Sequence, residues 1–423
     1  MNGVYPARGS EPARAMPVPL GSSFAWTSAG NALYAAGQWA ILSLVAKLGG
    51  GEMLGQYALA VAVTTPVVML SHLNLRAVLA TDVGRQHPFG DYLAVRLGIS
   101  GLSLAAIAVL ALVAGDSGSF SAAILMTGLS QSTESVSDVY YGAMQRRDQM
   151  ERIARSMMAR GILSPAAFGA ALWAARDLVW ALAAMTAARL AVLVVYDRPG
   201  GSAGECLSHS GWRAELAILR TALPLGIVLM LVSLNTNLPR YAIERHLGVR
   251  ELGAFAAVAS FVSVGSTIVN ALGQAATPRL AGYVSRRELA CFRTLACQLA
   301  GWVLALGAAG VLVSALFGKV VLRVVYRPEY AASSGLLVAV MSAAVLGYIA
   351  TALGYVITSA RAFRAQVPLF CGVAASCWLA SWVLVPRFGL HGAVLALAVA
   401  AAVQIGGGTL ILGRSLRGME PVA

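Results

Sequence analysis

Twelve long apolar runs separated by short polar turns decide what this chain can become. A helix needs about 20 mainly apolar residues to cross a bilayer, and only helices or closed barrels satisfy their backbone groups there. Runs of that length lie at about 22–46, 54–80, 92–114, 120–142, 153–175, 177–196, 215–238, 252–276, 292–316, 331–359, 363–386 and 389–413. The fifth and sixth are divided only by Arg176-Asp177. The pattern predicts an all-α polytopic membrane protein with about twelve transmembrane helices.

Charge usage agrees. Only 12% of the 423 residues are charged and 58% are hydrophobic, against about 25% charged in soluble domains. A net charge of +13 would suggest nucleic acid for a soluble chain. Here the basic residues sit mostly in short loops between apolar runs, as membrane orientation requires, so no nucleic-acid partner is expected. With the N-terminus inside, 20 of the 31 Lys and Arg fall in inside segments, including Arg96, Arg146, Arg147 and Arg160. Nine fall outside, and the excess predicts that both termini are cytoplasmic. Residues 1–20, rich in Pro, Gly and Arg without an apolar core, read as a disordered cytoplasmic tail. The five cysteines form no pair of CxxC motifs, so neither a disulfide framework nor a metal site is expected.

The halves repeat. Leu48-Gly49, Glu52 and Leu54-Gly55-Gln56-Tyr57-Ala58 match Leu247-Gly248, Glu251 and Leu252-Gly253-Ala254-Phe255-Ala256, about 198 residues apart, with one extra residue in the first copy. Both copies join the first helix of a six-helix set to the second. Two bundles of one orientation follow, residues 21–200 and 215–423, joined by a cytoplasmic linker at 201–214 and enclosing a central lumen.

Polar residues inside apolar spans mark where that lumen runs, because ionisable groups in a bilayer need partners or water. In the fourth span Gln131, Glu134, Ser135, Asp138, Tyr141, Gly142 and Gln145 share one helical face. That face is either interhelical hydrogen-bond glue or a lumen lining in which Glu134 and Asp138 pair or titrate. Arg76, near one end of the second span, either snorkels or faces the cavity to meet Asp138 or an anion. Ser233, Asn237, Arg240 and Glu244 share a face of the seventh span. There Arg240 either pairs with Glu244 one turn on or meets substrate alongside Asn235 and Asn237. Pro239 is expected to kink that helix by clashing with the Asn235 carbonyl. Asn31 and Gln38 share a face in the first span, Asn270 and Gln274 in the eighth, and Arg189 is expected to snorkel from the sixth. No nucleotide-binding loop, zinc motif or nucleophile elbow occurs, and no outside loop exceeds about fifteen residues, which counts against an enzyme.

Three stretches resemble the oligosaccharide (Wzx-type) flippases, the polysaccharide-transporter branch of the superfamily that also holds the multidrug and toxin extruders. They are Ser22–Val67 continuing through LNLRAVLATD (Leu73–Asp82), SVSDVYYGAMQRRDQMERIARS (Ser135–Ser156), and Ala222–Ala259 with ALGQAATPRLAGY (Ala271–Tyr283). The resemblance covers nearly the whole chain after its first twenty residues. It implies a V of two bundles around a cationic lumen and export of an undecaprenyl-pyrophosphate-linked glycan across a bacterial inner membrane. Arg76 and Arg240 stand in its LNLRAVLATD-like and LNTNLPRY-like motifs as candidate anion contacts. Arginine suits pyrophosphate, whose oxygens its planar fork binds in pairs. No cofactor is expected; protons, Na⁺ or the membrane potential would supply the energy. A polysaccharide polymerase and glycosyltransferases of one pathway are the partners implied. The competing reading is a cation-coupled exporter of small drugs or metabolites, which calls for a lumen dominated by carboxylates.

Overall fold

The computed structural model describes residues 20–82, 86–113, 118–203, 205, 208–360 and 363–417. The expected tail, apart from Leu20, and part of the expected linker lie outside the described residues. Nearly all of those described are helical, and no strand occurs among them. In the first half α1 (Leu20–Leu44) passes through a π-helical turn at Val45–Gly49 into α2 (Gly50–His72). Then come α3 (Leu75–Thr81), α4 (Phe89–Val113), α5 (Gly118–Arg146), α6 (Met150–Ala175) and α7 (Leu178–Val192). A second π turn, Leu193–Asp197, leads into the short α8 (Arg198–Ser202). The second half comprises α9 (Trp212–Leu247), α10 (Val249–Ser285), α11 (Leu289–Val325), a 3-10 turn at Pro328–Ser333, α12 (Ser334–Ser359), α13 (Phe363–Phe388) and α14 (Leu390–Arg417).

Nine described stretches are long and apolar enough to cross a membrane. The first of them, Ala25–Ala80, holds both α1 and α2. Helices α5 and α6 are long but too polar to count, because they carry the buried polar face described below. The division at Arg176-Asp177 is a true helix boundary. Arg176 closes α6 in the left-handed region, and the Asp177 carboxylate caps α7 by accepting from the N–H groups of Val179 and Trp180 at 2.8 and 3.1 Å.

The expected second span, 54–80, is corrected. It breaks at Leu73 and Asn74, both in the left-handed region at φ 51° and 50°. A break strands carbonyls at the end of α2, and Arg96 of α4 meets them. Its guanidinium donates to the Ser71 and His72 carbonyls at 2.9 and 2.7 Å. Arg96, expected among the inside loop charges, is therefore a fully buried internal cap.

Helices α1 to α8 pack chiefly on one another, as do α9 to α14. Helix α2 bridges the halves, lying along both α9 and α10, whereas α1 scarcely touches α10. One seam between the halves is thus closed along its length, while at the other α1 and α10 meet mainly through Trp39, which donates to Ser260 at 3.3 Å and stands edge-on to Phe261. Where the α1–α2 and α9–α10 turns meet, the repeat becomes visible as contact. A Cβ built on Gly55 would fall 1.9 Å from the Val249 carbonyl oxygen, and one on Gly253 would fall 2.1 Å from that of Gly51. The two contacts are copies of each other under the repeat, a self-complementary crossing about a local two-fold axis. Large apolar side chains such as Leu102, Leu112, Trp173 and Leu316 cover the exterior, as a lipid-facing surface requires.

Candidate functional site

The polar face of α5 lines a 390 Å³ cavity inside the first half, walled also by α1, α2, α3, α6 and α7. Gln131, Glu134, Ser135, Asp138 and Tyr141 all border it. Gly142 lies one turn beyond Asp138, where its lack of a side chain lets α3 approach; a Cβ there would sit 3.2 Å from the Arg76 carbonyl oxygen. The next turn brings Gln145, which accepts from Arg76 Nε at 2.9 Å.

Three arginines reach this cavity, and each meets a carboxylate. Arg76 Nη1 lies 3.4 Å from Asp138, whose other oxygen lies 3.4 Å from His72 Nε2. The Arg76 guanidinium also stands over the Tyr141 ring, 5.6 Å from its centre. Arg189 Nη1 donates to Glu134 at 3.0 Å, and its Nη2 reaches Gln38 Oε1 at 3.3 Å. Tyr34 donates to Glu134 as well, and Gln38 Nε2 to the Tyr34 oxygen at 2.5 Å. Arg160 pairs with Asp197, both almost fully buried, and Ser137 and Ser156 complete that network. Two expectations fail here. Arg189 does not snorkel; it is only 4% exposed and held by Glu134. Arg160 is no loop charge, because Asp197 draws it into the helix packing. In both cases a carboxylate distant in sequence offsets the desolvation, and such a pair leaves no local sequence signal.

Arg240 has a different setting. It borders a second, larger cavity of 680 Å³ between the halves, formed by α1, α2, α9 and α10. Alanines, Val61, Val264, Leu42 and Ile268 make most of the wall, with Trp39, Ser260, Ser263 and Thr267 among its polar groups. Arg240 makes no ion pair among the described residues, Glu244 included, and its buried Nε has no hydrogen-bond partner. The hydroxyl of neighbouring Tyr241 donates instead to the Ala62 carbonyl at 2.5 Å and fixes α9 to α2. Tyr34, Gln38, Tyr57 and Val61 border both cavities, so the two adjoin.

The remaining candidates lie elsewhere. Asn237 is buried, and its amide donates to the Ser233 carbonyl of its own helix at 2.9 Å. The side chain of Asn235 lines neither cavity; its backbone carbonyl accepts from Cys377 Sγ at 3.4 Å. That thiol serves the acceptor from which Pro239 removes the usual helical donor, and α9 is one continuous helix across Pro239. Asn270 accepts from the Tyr355 hydroxyl at 3.3 Å, while Asn31 and Gln274 are exposed and border neither cavity.

Pattern reading also missed His209, in the expected linker. It stands 3.3 Å from Asp91 of α4 and 3.4 Å from Glu215 of α9, joining the halves at the end opposite the glycine crossing.

No family model matches the chain. It is 23% identical over 386 residues to the capsular polysaccharide biosynthesis protein CapF of Staphylococcus aureus, covering 90% of this chain and 96% of that relative. Among solved structures it superposes on an inward-facing multidrug-resistance MATE transporter of the MOP superfamily, with a TM-score of 0.73 and 13% identity over 95% of this chain and 99% of that one. It also superposes on the lipid II flippase MurJ in an inward closed conformation, with a TM-score of 0.70 and 9% identity, covering 94% and 90% of the two chains. The chain is a multi-pass membrane protein with the fold of the MATE and MurJ transporters, similar in sequence to a capsular polysaccharide biosynthesis protein.

Proposed function

We propose that this protein flips a polyprenyl-pyrophosphate-linked oligosaccharide across the bacterial inner membrane by alternating access, in polysaccharide or O-antigen biosynthesis. The observation that carries this reading is Arg240, a half-buried guanidinium with a buried, unserved Nε and no carboxylate partner among the described residues, on the wall of a largely apolar cavity. A charge partly withdrawn from water with no counter-ion is costly, and an anionic ligand lowers that cost. A diphosphate matches the guanidinium in charge and fork geometry. The polyprenyl tail stays in lipid, and the sparsely packed α1–α10 seam is the side through which it would leave the cavity. Both termini are cytoplasmic on this reading. The cavity, shut at the glycine crossing on the outer side, then receives substrate from the cytoplasmic leaflet. Glycosyltransferases of the same pathway would supply that substrate and a polymerase would consume it.

Export of a cationic drug fits less well. Such a lumen needs a free carboxylate, and Glu134 and Asp138 are both engaged by arginines. Glu134 and Asp138 remain the groups through which a proton or Na⁺ would couple. The deciding experiment is Arg240→Ala in cells that depend on this chain for surface glycan. Export should fall at least tenfold with protein abundance near normal, and full export by the variant would refute the reading.

A further inference from the structure

The cavity inside the first half holds polar atoms that its own side chains leave unserved. Ser130, Gln131 and His72 line this space, and Ser130 Oγ, Gln131 Oε1 and His72 Nδ1 are buried without a hydrogen-bond partner. Buried polar groups are nearly always paired, and leaving one unpaired costs about 1–3 kcal/mol. Each guanidinium of the same cavity meets a carboxylate, Arg76, Arg160 and Arg189 alike, although Asp138 Oδ2, Arg160 Nε and Arg189 Nε also lack a hydrogen-bond partner. With the charges paired off, this space lacks partners for hydrogen-bonding atoms rather than a counter-ion, and aromatic walls stand beside them at Tyr34, Tyr57 and Tyr141.

We propose that this cavity is a sugar subsite for the uncharged, hydroxyl-rich residue attached to the diphosphate. The inference rests on the diphosphate station at Arg240. The two cavities adjoin through Tyr34, Gln38, Tyr57 and Val61, so a ligand anchored at Arg240 can place its first sugar beside α5. Hydroxyls both donate and accept, and so can serve Gln131 Oε1, Ser130 Oγ and His72 Nδ1 alike. A uronic acid would instead compete with Glu134 and Asp138 for their arginines, or bring like charges together.

The test uses the full chain in nanodiscs and three probes: farnesyl diphosphate, its conjugate with one neutral hexose, and its conjugate with one hexuronic acid. Two or three added neutral hydrogen bonds should make the neutral conjugate bind about tenfold tighter than the bare diphosphate. Gln131→Ala should erase that gain and leave the bare diphosphate unaffected; Ser130→Ala should lose part of it. Thermal unfolding of both variants checks that the fold is kept. Arg240→Ala should weaken all three probes alike. If the hexose confers no gain on the parent protein, or Gln131→Ala keeps the whole gain, the sugar subsite is refuted. Tighter binding of the hexuronic conjugate than of the neutral one also refutes it. If Gln131→Ala erases the gain while Arg240→Ala changes nothing, the diphosphate station fails and the sugar subsite stands.

Discussion

Glu134 and Arg189 meet at 3.0 Å although one lies on α5 and the other on α7, and they differ sharply in exposure. The Arg189 side chain is 4% exposed and that of Glu134 31%. The arginine is therefore the buried partner, and the carboxylate is the one that cavity water reaches. Removing Glu134 strands a buried charge, whereas removing Arg189 leaves a carboxylate that water can solvate. Glu134→Ala should destabilise the protein by about 1–3 kcal/mol. Arg189→Ala should cost less, and the double variant should recover part of the Glu134→Ala loss. Thermal unfolding in detergent reads all three; equal losses in the two single variants would contradict the asymmetry.

Arg96 holds the carbonyl end of α2 where the chain turns into α3. Arg96→Met removes two charge-assisted hydrogen bonds and leaves two buried carbonyls unserved, so a loss of about 2–4 kcal/mol is expected. Arg96→Lys should recover only part of this, because an ammonium lacks the fork that spans both oxygens. Full rescue by lysine in unfolding measurements would show that charge alone suffices.

Gly55 and Gly253 admit no side chain while the halves are crossed as described. Gly55→Ala or Gly253→Ala should push the crossing apart and bias the protein toward opening at that end. A cysteine placed at Ser260, on the cavity wall, should then react faster with a membrane-impermeant thiol reagent added from that side. Unchanged labelling in both variants would mean that the crossing yields in some other way.

Asp82 lies just beyond the end of α3 and accepts from Gln86 N at 3.0 Å, His87 N at 3.4 Å and the Tyr92 hydroxyl at 3.1 Å. Burial pushes its carboxyl up, but those three bonds and the charge of Arg146 more than offset it and hold the group below 3.8. A depressed carboxylate contributes stability above its unfolded value and loses it as pH falls through the folded one. Asp82→Asn should thus destabilise by about 1 kcal/mol, and by the same amount at pH 5 and pH 8. A penalty that shrinks between pH 8 and pH 5 would indicate titration in that window and count against this account.

Periodicity alone located the α5 face, because a helix that buries polar groups must place them every three or four residues. It was silent on which arginine each carboxylate meets. Glu134 finds Arg189 and Asp197 finds Arg160 across 55 and 37 residues of sequence. Nothing in the spacing of either residue encodes its partner. The α2–α3 break escaped for a similar reason. Leu73 and Asn74 bear no glycine or proline signal, and the break is stabilised from α4 by Arg96. The repeat, by contrast, was legible because a close backbone crossing demands glycine in both copies.

That crossing also has a mechanical consequence. Helix α10 begins at it and runs 37 residues, about 55 Å at 1.5 Å per residue. Turning about a pivot at its first turn, such a lever carries its far end about 10 Å for each 10° of rotation, roughly the diameter of a helix. Two glycines thus set the gearing of the molecule: a hinge movement too small to unpack the closed end is enough to move a whole helix aside at the other.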